Sequence, residues 1–295
     1  MKRSLLLALI LLLILFSAHA ATVCGDYSYI VQPDGTARIT DYSGTDTHVV
    51  IPETLDGLTV TCIGDSAMDR NETIESVYIP DTVTVIQDYA FWYDTNLTSI
   101  RLSQNLTSIG NDAFRQCGIS SIEIPDSVTE MSSTPFGACM DLTEIVFSPE
   151  NTRFRFEDGA LIDATNHRFL GILPALAKEE CVVPSDVTEI GNSAFSWCEA
   201  LRSVILPEGV TRVNGLAFDH LENLTSITLP GTLTFIGYKA FNELPTLETL
   251  VIPAGVTQMR ENAFRACPRL TLTVSADSFA LDYAVKYRIP HIIAD

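Results

Sequence analysis

Along most of this chain, apolar residues return at fixed places in a unit of 22 or 23 residues. The unit reads Ile-Pro-x-x-Val-Thr-x-Ile-Gly-x-x-Ala-Phe, continues as Leu-x-x-Ile-x-Leu, and closes on the proline of the next copy. Pro80, Pro125, Pro184, Pro207, Pro230 and Pro253 anchor the copies, and Ser103 and Ser148 fill the same slot. Three residues after each anchor stand Val83, Leu106, Val128, Val187, Val210, Leu233 and Val256. Six after it stand Ile86, Ile109, Met131, Ile190, Val213, Ile236 and Met259. A period in the range of roughly 20–29 residues marks a solenoid, whose units bury their apolar faces only by stacking on one another.

Each unit predicts a short set of elements. Runs such as Leu97-x-x-Ile100-x-Leu102 and Leu201-x-x-Val204-x-Leu206 alternate inward and outward, so each contributes one strand to a parallel sheet along the stack. The Val-Thr-x-Ile step offers a second, looser strand, and the Ile-Gly pair a bend that glycine tolerates. Ala-Phe pairs at 90–91, 113–114, 194–195, 217–218, 240–241 and 263–264 read as tight turns or short helical turns, with the phenylalanines stacked as a spine. The expectation is a mainly β solenoid with one continuous apolar core, short parallel strands and short helical turns.

Three segments leave the period. Residues 21–50 alternate around Pro33-Asp34-Gly35 and read as a capping hairpin before a single repeat domain spanning 51–275. Between Ser148 and Pro184 the spacing widens to 36 residues. Phe154, Phe156, Asp158-Gly159, Leu161, Ile162 and Phe169 predict an embellished repeat over 148–183, with an accessory hairpin projecting from one edge. Residues 276–295 form a C-terminal cap containing a short amphipathic helix that stops before Pro290.

The first residues carry a different signal. Lys2 and Arg3 precede an apolar stretch from Leu5 to Phe16, and Ala18-His19-Ala20 supplies small residues at a cleavage site. Residues 1–20 therefore read as a secretory signal peptide, an uncleaved anchor being the alternative. Acidic residues outnumber basic ones 37 to 18, for a net charge of −19, which repels nucleic acid and anionic lipid. No membrane insertion is expected after signal cleavage.

Seven cysteines are an odd number for an exported chain. Cys117, Cys139, Cys198 and Cys267 share one slot of the unit, held elsewhere by Asp94, Leu221 and Leu244. That column reads as inward thiols that pack or donate weakly to backbone carbonyls. Cys24 and Cys62, both near the N-terminal edge, are the candidate disulfide. No Cys-x-x-Cys pair, phosphate-binding glycine loop or metal triad occurs in the sequence, the five histidines are scattered, and no cofactor is expected.

The full unit, best represented from Val183-Pro184 through Leu206-Pro207, resembles the leucine-rich repeat class of bacterial BspA-like surface proteins. The resemblance covers about residues 50–275. It implies a right-handed leucine-rich repeat superhelix, a secreted or cell-surface location and, for some members, adhesion. It supplies no catalytic residues. A non-enzymatic protein-binding or adhesion module is the reading that follows, with a carbohydrate-binding or purely structural envelope protein as alternatives. The partner is expected to be an extracellular protein or other cell-surface macromolecule, with glycan left open.

The candidate binding face is the outward column of the sheet: Tyr78, Arg101, Glu123, Val146, Ile205, Thr228 and Val251, with Val274 in the same periodic slot and Arg202 beside it. Its β-branched members are either a patch for a partner or ordinary cross-strand packing. Arg101 and Arg202 stand out as cations in a negative field.

Overall fold

The computed structural model describes residues 21–294; the signal peptide expected at 1–20 lies outside the described residues. Parallel strands stack coil on coil in a mainly β solenoid. One ladder is built from the Leu-x-x-Ile-x-Leu runs. Ser76–Tyr78 pairs with Ser99–Arg101, Ser121–Ile124 with Glu144–Phe147, and Ser203–Ile205 with both Glu180–Val182 and Ser226–Thr228. Its first rung, His48–Val50, precedes the first anchor, and its last, His291–Ala294, follows the helix. Both end segments thus add strands to the stack.

The Val-Thr-x-Ile steps form a second ladder of two-residue strands. It runs from the N-terminal antiparallel strands Tyr27–Val31 and Ala37–Tyr42 through Val85–Ile86 and Ser108–Ile109 to Glu130–Met131. It resumes at Arg168–Ile172 and continues to Gln258–Met259. Glycine in the Ile-Gly pair serves a purpose other than bending. A Cβ on Gly110 would sit 2.5 Å from the Gln87 carbonyl carbon, and one on Gly237 2.5 Å from that of Asn214. Neither has positive φ; the neighbouring coil simply passes too close for a side chain.

The Ala-Phe segments are not helical. Two non-glycine residues with positive φ bracket each one, such as Tyr89 (59°) and Tyr93 (67°), or Ser193 (53°) and Trp197 (67°). Left-handed backbone costs an ordinary residue roughly 1–2 kcal/mol. Here it turns alternate amides toward the next coil: Tyr89, Phe91 and Tyr93 donate to the carbonyls of Asn111, Ala113 and Arg115 at 2.8–2.9 Å. Those bonds, at about 0.5–1.5 kcal/mol each, offset the strain and supply the third side of every coil. Among the described residues the one α-helix is Phe279–Tyr287, with Ser278 as its N-cap. Tyr283 from this helix closes the stack edge-on against Phe264.

The phenylalanines stack as a spine, with rings 5.3 and 5.7 Å apart from Phe91 through Phe114 to Phe136, and 4.8–5.2 Å apart from Phe169 to Phe264. The interruption between Phe136 and Phe169 corrects two expectations. The core is two clusters instead of one, and the 148–183 segment does not project. Its strands Phe154–Glu157, Ala160–Asp163 and Arg168–Ile172 form an antiparallel sheet set across the interior as a septum. All four residues of Ala160–Asp163 are buried. Phe154, Leu161 and Leu170 join the N-terminal core, whereas Ala160, Ile162, Phe169 and Ile172 join the C-terminal one. Strand alternation places successive side chains on opposite faces, and here each face has its own core. The half-stacks touch where Thr134 donates to the Leu170 carbonyl at 3.1 Å.

Candidate functional site

The outward column of the first ladder is a ribbon that runs over four short sheets in succession and is exposed or half-exposed along its length. Strand register sets Val50 beside Tyr78 and Tyr78 beside Arg101, then Glu123 beside Val146. Past the septum it sets Val182 beside Ile205, Ile205 beside Thr228, and Val251 beside Thr273, which faces Ile292. Val274, assigned to this column by spacing, is buried; the pairing of Val251 with Thr273 shows that the last coil is one residue shorter, which reverses every side chain beyond it.

The two ends of the ribbon differ in chemistry. On the N-terminal side, Arg101 is tied down: it bridges Asp81 at 2.8 Å, donates to the Ile79 carbonyl at 3.0 Å and lies 4.7 Å over the Tyr78 ring. Arg202 pairs with Glu179 at 3.4 Å, but both side chains are largely exposed, so this pair holds the cation only weakly. On the C-terminal side the column is β-branched throughout, its apolar members interrupted by Thr228 and Thr273. Val182 and Val251 are each 61% exposed, and Ile205 lies between them. Beside Val182 a notch of about 190 Å³ opens over Phe169, Ile172 and Cys181, with a charged rim of Glu157, Asp158, Glu180 and Lys178.

Spacing alone could have found two of the residues that sequence reasoning missed. Val50 and Val182 stand two residues before Pro52 and Pro184, as Tyr78 does before Pro80. Ile292 has no anchor after it and is placed by the terminal strand pairing alone.

Cys24 and Cys62 do not form a disulfide. Cys24 lies on Thr22–Cys24, the outermost strand, and Cys62 on Leu58–Ile63, with two strands between them. At about 4.8 Å per strand spacing this is about 14 Å, far beyond disulfide reach. Both thiols are free, and burial pushes that of Cys62 up to about 12. In the repeated slot, the thiols of Cys117 and Cys139 donate to the carbonyls of Phe91 and Phe114 at 3.1 and 2.9 Å. Burial raises both, that of Cys139 to about 12, so they are protonated packing groups and not nucleophiles. Asp94 in the same slot is fully buried, accepts the Asn71 amide at 2.8 Å, and is pushed up to about 8 by desolvation.

His220 has more company than its sequence neighbours suggest. Its ring stacks on Trp197 at 4.7 Å, and its nitrogens approach Asp219 at 2.9 Å and Glu243 at 2.7 Å. The stacking brings these together from separate coils. Among the described residues no group of histidine, cysteine and acidic side chains could hold a metal ion, and no helix is long and apolar enough to cross a membrane.

A family profile described as the BspA type leucine-rich repeat region matches six copies over residues 23–158 and 177–282, and the chain belongs to this family. No curated protein matches. The fold is shared with three solved structures. A leucine-rich cell surface protein from Faecalibacterium prausnitzii is 22% identical, with a TM-score of 0.58 over 88% of this chain and 90% of its own. The pneumococcal vaccine antigen PcpA is 19% identical, with a TM-score of 0.62 over 86% and 81%. A leucine-rich repeat protein from Eubacterium ventriosum is 20% identical, with a TM-score of 0.61 over 87% and 85%.

Proposed function

We propose that the protein is a secreted or cell-surface, non-enzymatic adhesion module that binds an extracellular protein through the C-terminal part of its outward column. The observation that carries this reading is the run Val182, Ile205 and Val251, which is exposed, apolar and held on a rigid ladder beside a notch with an apolar floor. Exposed apolar rows flanked by polar residues are what binding faces present, and a solenoid holds them without a lid or hinge. The flanking Ser203, Ser226 and Thr249 add hydroxyls that can hydrogen-bond a partner at the edge of the apolar row. The surrounding acidic surface favours a basic partner and disfavours nucleic acid and anionic membrane. Secretion rests on the segment at 1–20, and right-handed coiling on the strong handedness rule for parallel crossovers.

The test is surface plasmon resonance against a panel of purified extracellular-matrix proteins, comparing wild type with a Val182→Asp, Ile205→Asp, Val251→Asp triple variant. Binding should fall at least about tenfold, equivalent to about 1.4 kcal/mol, when measured well below the melting temperature, which the facing carboxylates at positions 182 and 205 will lower. Undiminished binding by the variant would move the site elsewhere, and turnover of a peptide or glycan library would overturn the non-enzymatic reading.

A further inference from the structure

The first ladder breaks at the septum. Glu144–Phe147 ends one of its sheets and Glu180–Val182 begins the next, so Glu180–Val182 pairs with Ser203–Ile205 on one side and with no strand on the other. We propose that this open edge receives an extended basic segment of the partner polypeptide as an added strand. The inference rests on the protein-binding reading of the C-terminal face and names how that face takes hold and of what.

The backbone carries the argument. In the other coils the amides of Ser76, Ser99, Ser203 and Ser226 donate to the coil before, at the carbonyls of Thr47, Glu75, Glu179 and Arg202. The carbonyls of Tyr78, Arg101, Ile205 and Thr228 accept from it, through the amides of Ile51, Ile79, Val183 and Leu206. Glu180 stands in the serine slot and Val182 in the slot of Tyr78, but no strand of the ladder precedes them. The opposite side of this strand is used, since the Glu179 carbonyl accepts from Ser203 and the Val183 amide donates to Ile205. Backbone groups alternate sides along a strand, so those of Glu180 and Val182 face the open side, where an edge is a template for another strand.

The septum does not fill that side. The notch of about 190 Å³ lies there, lined by Glu180, Cys181 and Val182 themselves, with Glu157, Asp158 and Lys178 at its rim. Strand addition draws affinity from main-chain hydrogen bonds and selectivity from the side chains alongside. Here charge selects the occupant. Arg155 bridges Glu157 at 2.8 Å and Lys178 bridges Asp158 at 3.1 Å, whereas the exposed Glu180 receives only the Ser203 hydroxyl at 3.3 Å. A lysine or arginine on the added strand supplies the missing cation. A second copy is disfavoured, because a chain of net charge −19 brings further carboxylates to this edge. A charge on a short edge strand guards against pairing with like strands, and this one admits basic ones.

The probe is the peptide acetyl-Lys-Val-Lys-Val-Lys-amide, with acetyl-Glu-Val-Glu-Val-Glu-amide as control, followed by calorimetry and amide NMR of the full chain. The lysine peptide should bind in the millimolar range, shift the amides of Glu180 and Val182 and slow their exchange. Two further forms of it, N-methylated on alternate residues in either phase, should differ. One should lose about tenfold in affinity and the other, whose methyl groups point to solvent, should bind as before. Glu180→Lys should reverse the preference toward the glutamate peptide. Equal binding by both methylated forms, unmoved Glu180 and Val182 amides, or an unchanged preference in Glu180→Lys would each overturn the proposal. Protection of the same amides by self-association would seat a second copy there and overturn it too. An Ile205→Asp, Val251→Asp variant leaves the edge intact and should keep the peptide while losing the matrix protein. Matrix-protein binding without any peptide binding would sink the added strand alone; peptide binding with matrix-protein binding undiminished in that variant would sink the proposed face alone.

Discussion

The half-stacks on either side of the septum use one repeat and display different surfaces from it. Before the septum, the outward column intersperses Val50 and Val146 with Tyr78, Arg101 and Glu123, the arginine bridging Asp81. After it, the same column carries Val182, Ile205, Thr228 and Val251. The aromatic spine shows no such divergence: Phe91 and Phe114 stack as Phe195 and Phe218 do. Stacking constrains every side chain that must pack between two neighbouring coils and leaves outward positions free to change. Chemical difference between copies therefore accumulates on the exposed ribbon and at the septum, where the stacking rule lapses.

The sharpest way to break this comparison uses two adjacent residues of the septum. Leu161 faces the N-terminal core and Ile162 the C-terminal one. Truncating either to alanine should cost about 2–5 kcal/mol, the usual range for a buried aliphatic side chain. Hydrogen exchange should show Leu161→Ala loosening amides around Phe114, and Ile162→Ala those around Phe195. If both variants loosen the same half, the segment is not a partition.

A smaller effect is expected at Asp94. Burial keeps its proton on in the folded state up to about pH 8, whereas the usual carboxyl value is 3.8. Between those values the unfolded chain binds fewer protons than the folded one, so this group makes stability fall as pH rises. Asp94→Leu, which installs the residue found at Leu221 and Leu244, should remove that slope. Its gain over wild type should grow from pH 4 to pH 9 by an amount on the order of a few kcal/mol. A difference that is flat with pH in urea titrations would mean that Asp94 is ionised in the fold.

The smallest effect is one of no change. With Cys24 and Cys62 separated by two strands, adding reductant should leave the melting temperature where it was. A clear drop would restore a covalent link at the N-terminal edge.

Much of the architecture was legible because burial acts on every copy at once. Val83, Ile86, Ala90 and Phe91 recur at fixed offsets, and all are buried or half-buried where the coils meet. The thiol column was legible too, since a slot that accepts cysteine, leucine or aspartate must face inward. The outward face was only partly readable: the two-before-anchor rule holds for Val182, while Val274 shows how a coil one residue shorter defeats counting. Two of the partners of His220, Trp197 and Glu243, were hidden, because stacking joins residues that a linear reading keeps 23 positions apart.

The periodic placement of apolar residues by itself determined the stacked coils, the parallel strands and the aromatic spine, because no other arrangement buries all of those columns together. Tertiary structure alone decided three things. It set the left-handed backbone around each Ala-Phe pair, which ordinary residues adopt only because the next coil accepts their amides. It set the close coil contact that reserves Gly110 and Gly237. It also turned the 148–183 segment inward as a septum: a strand buried on both faces carries no polar alternation to say which core each side chain will join.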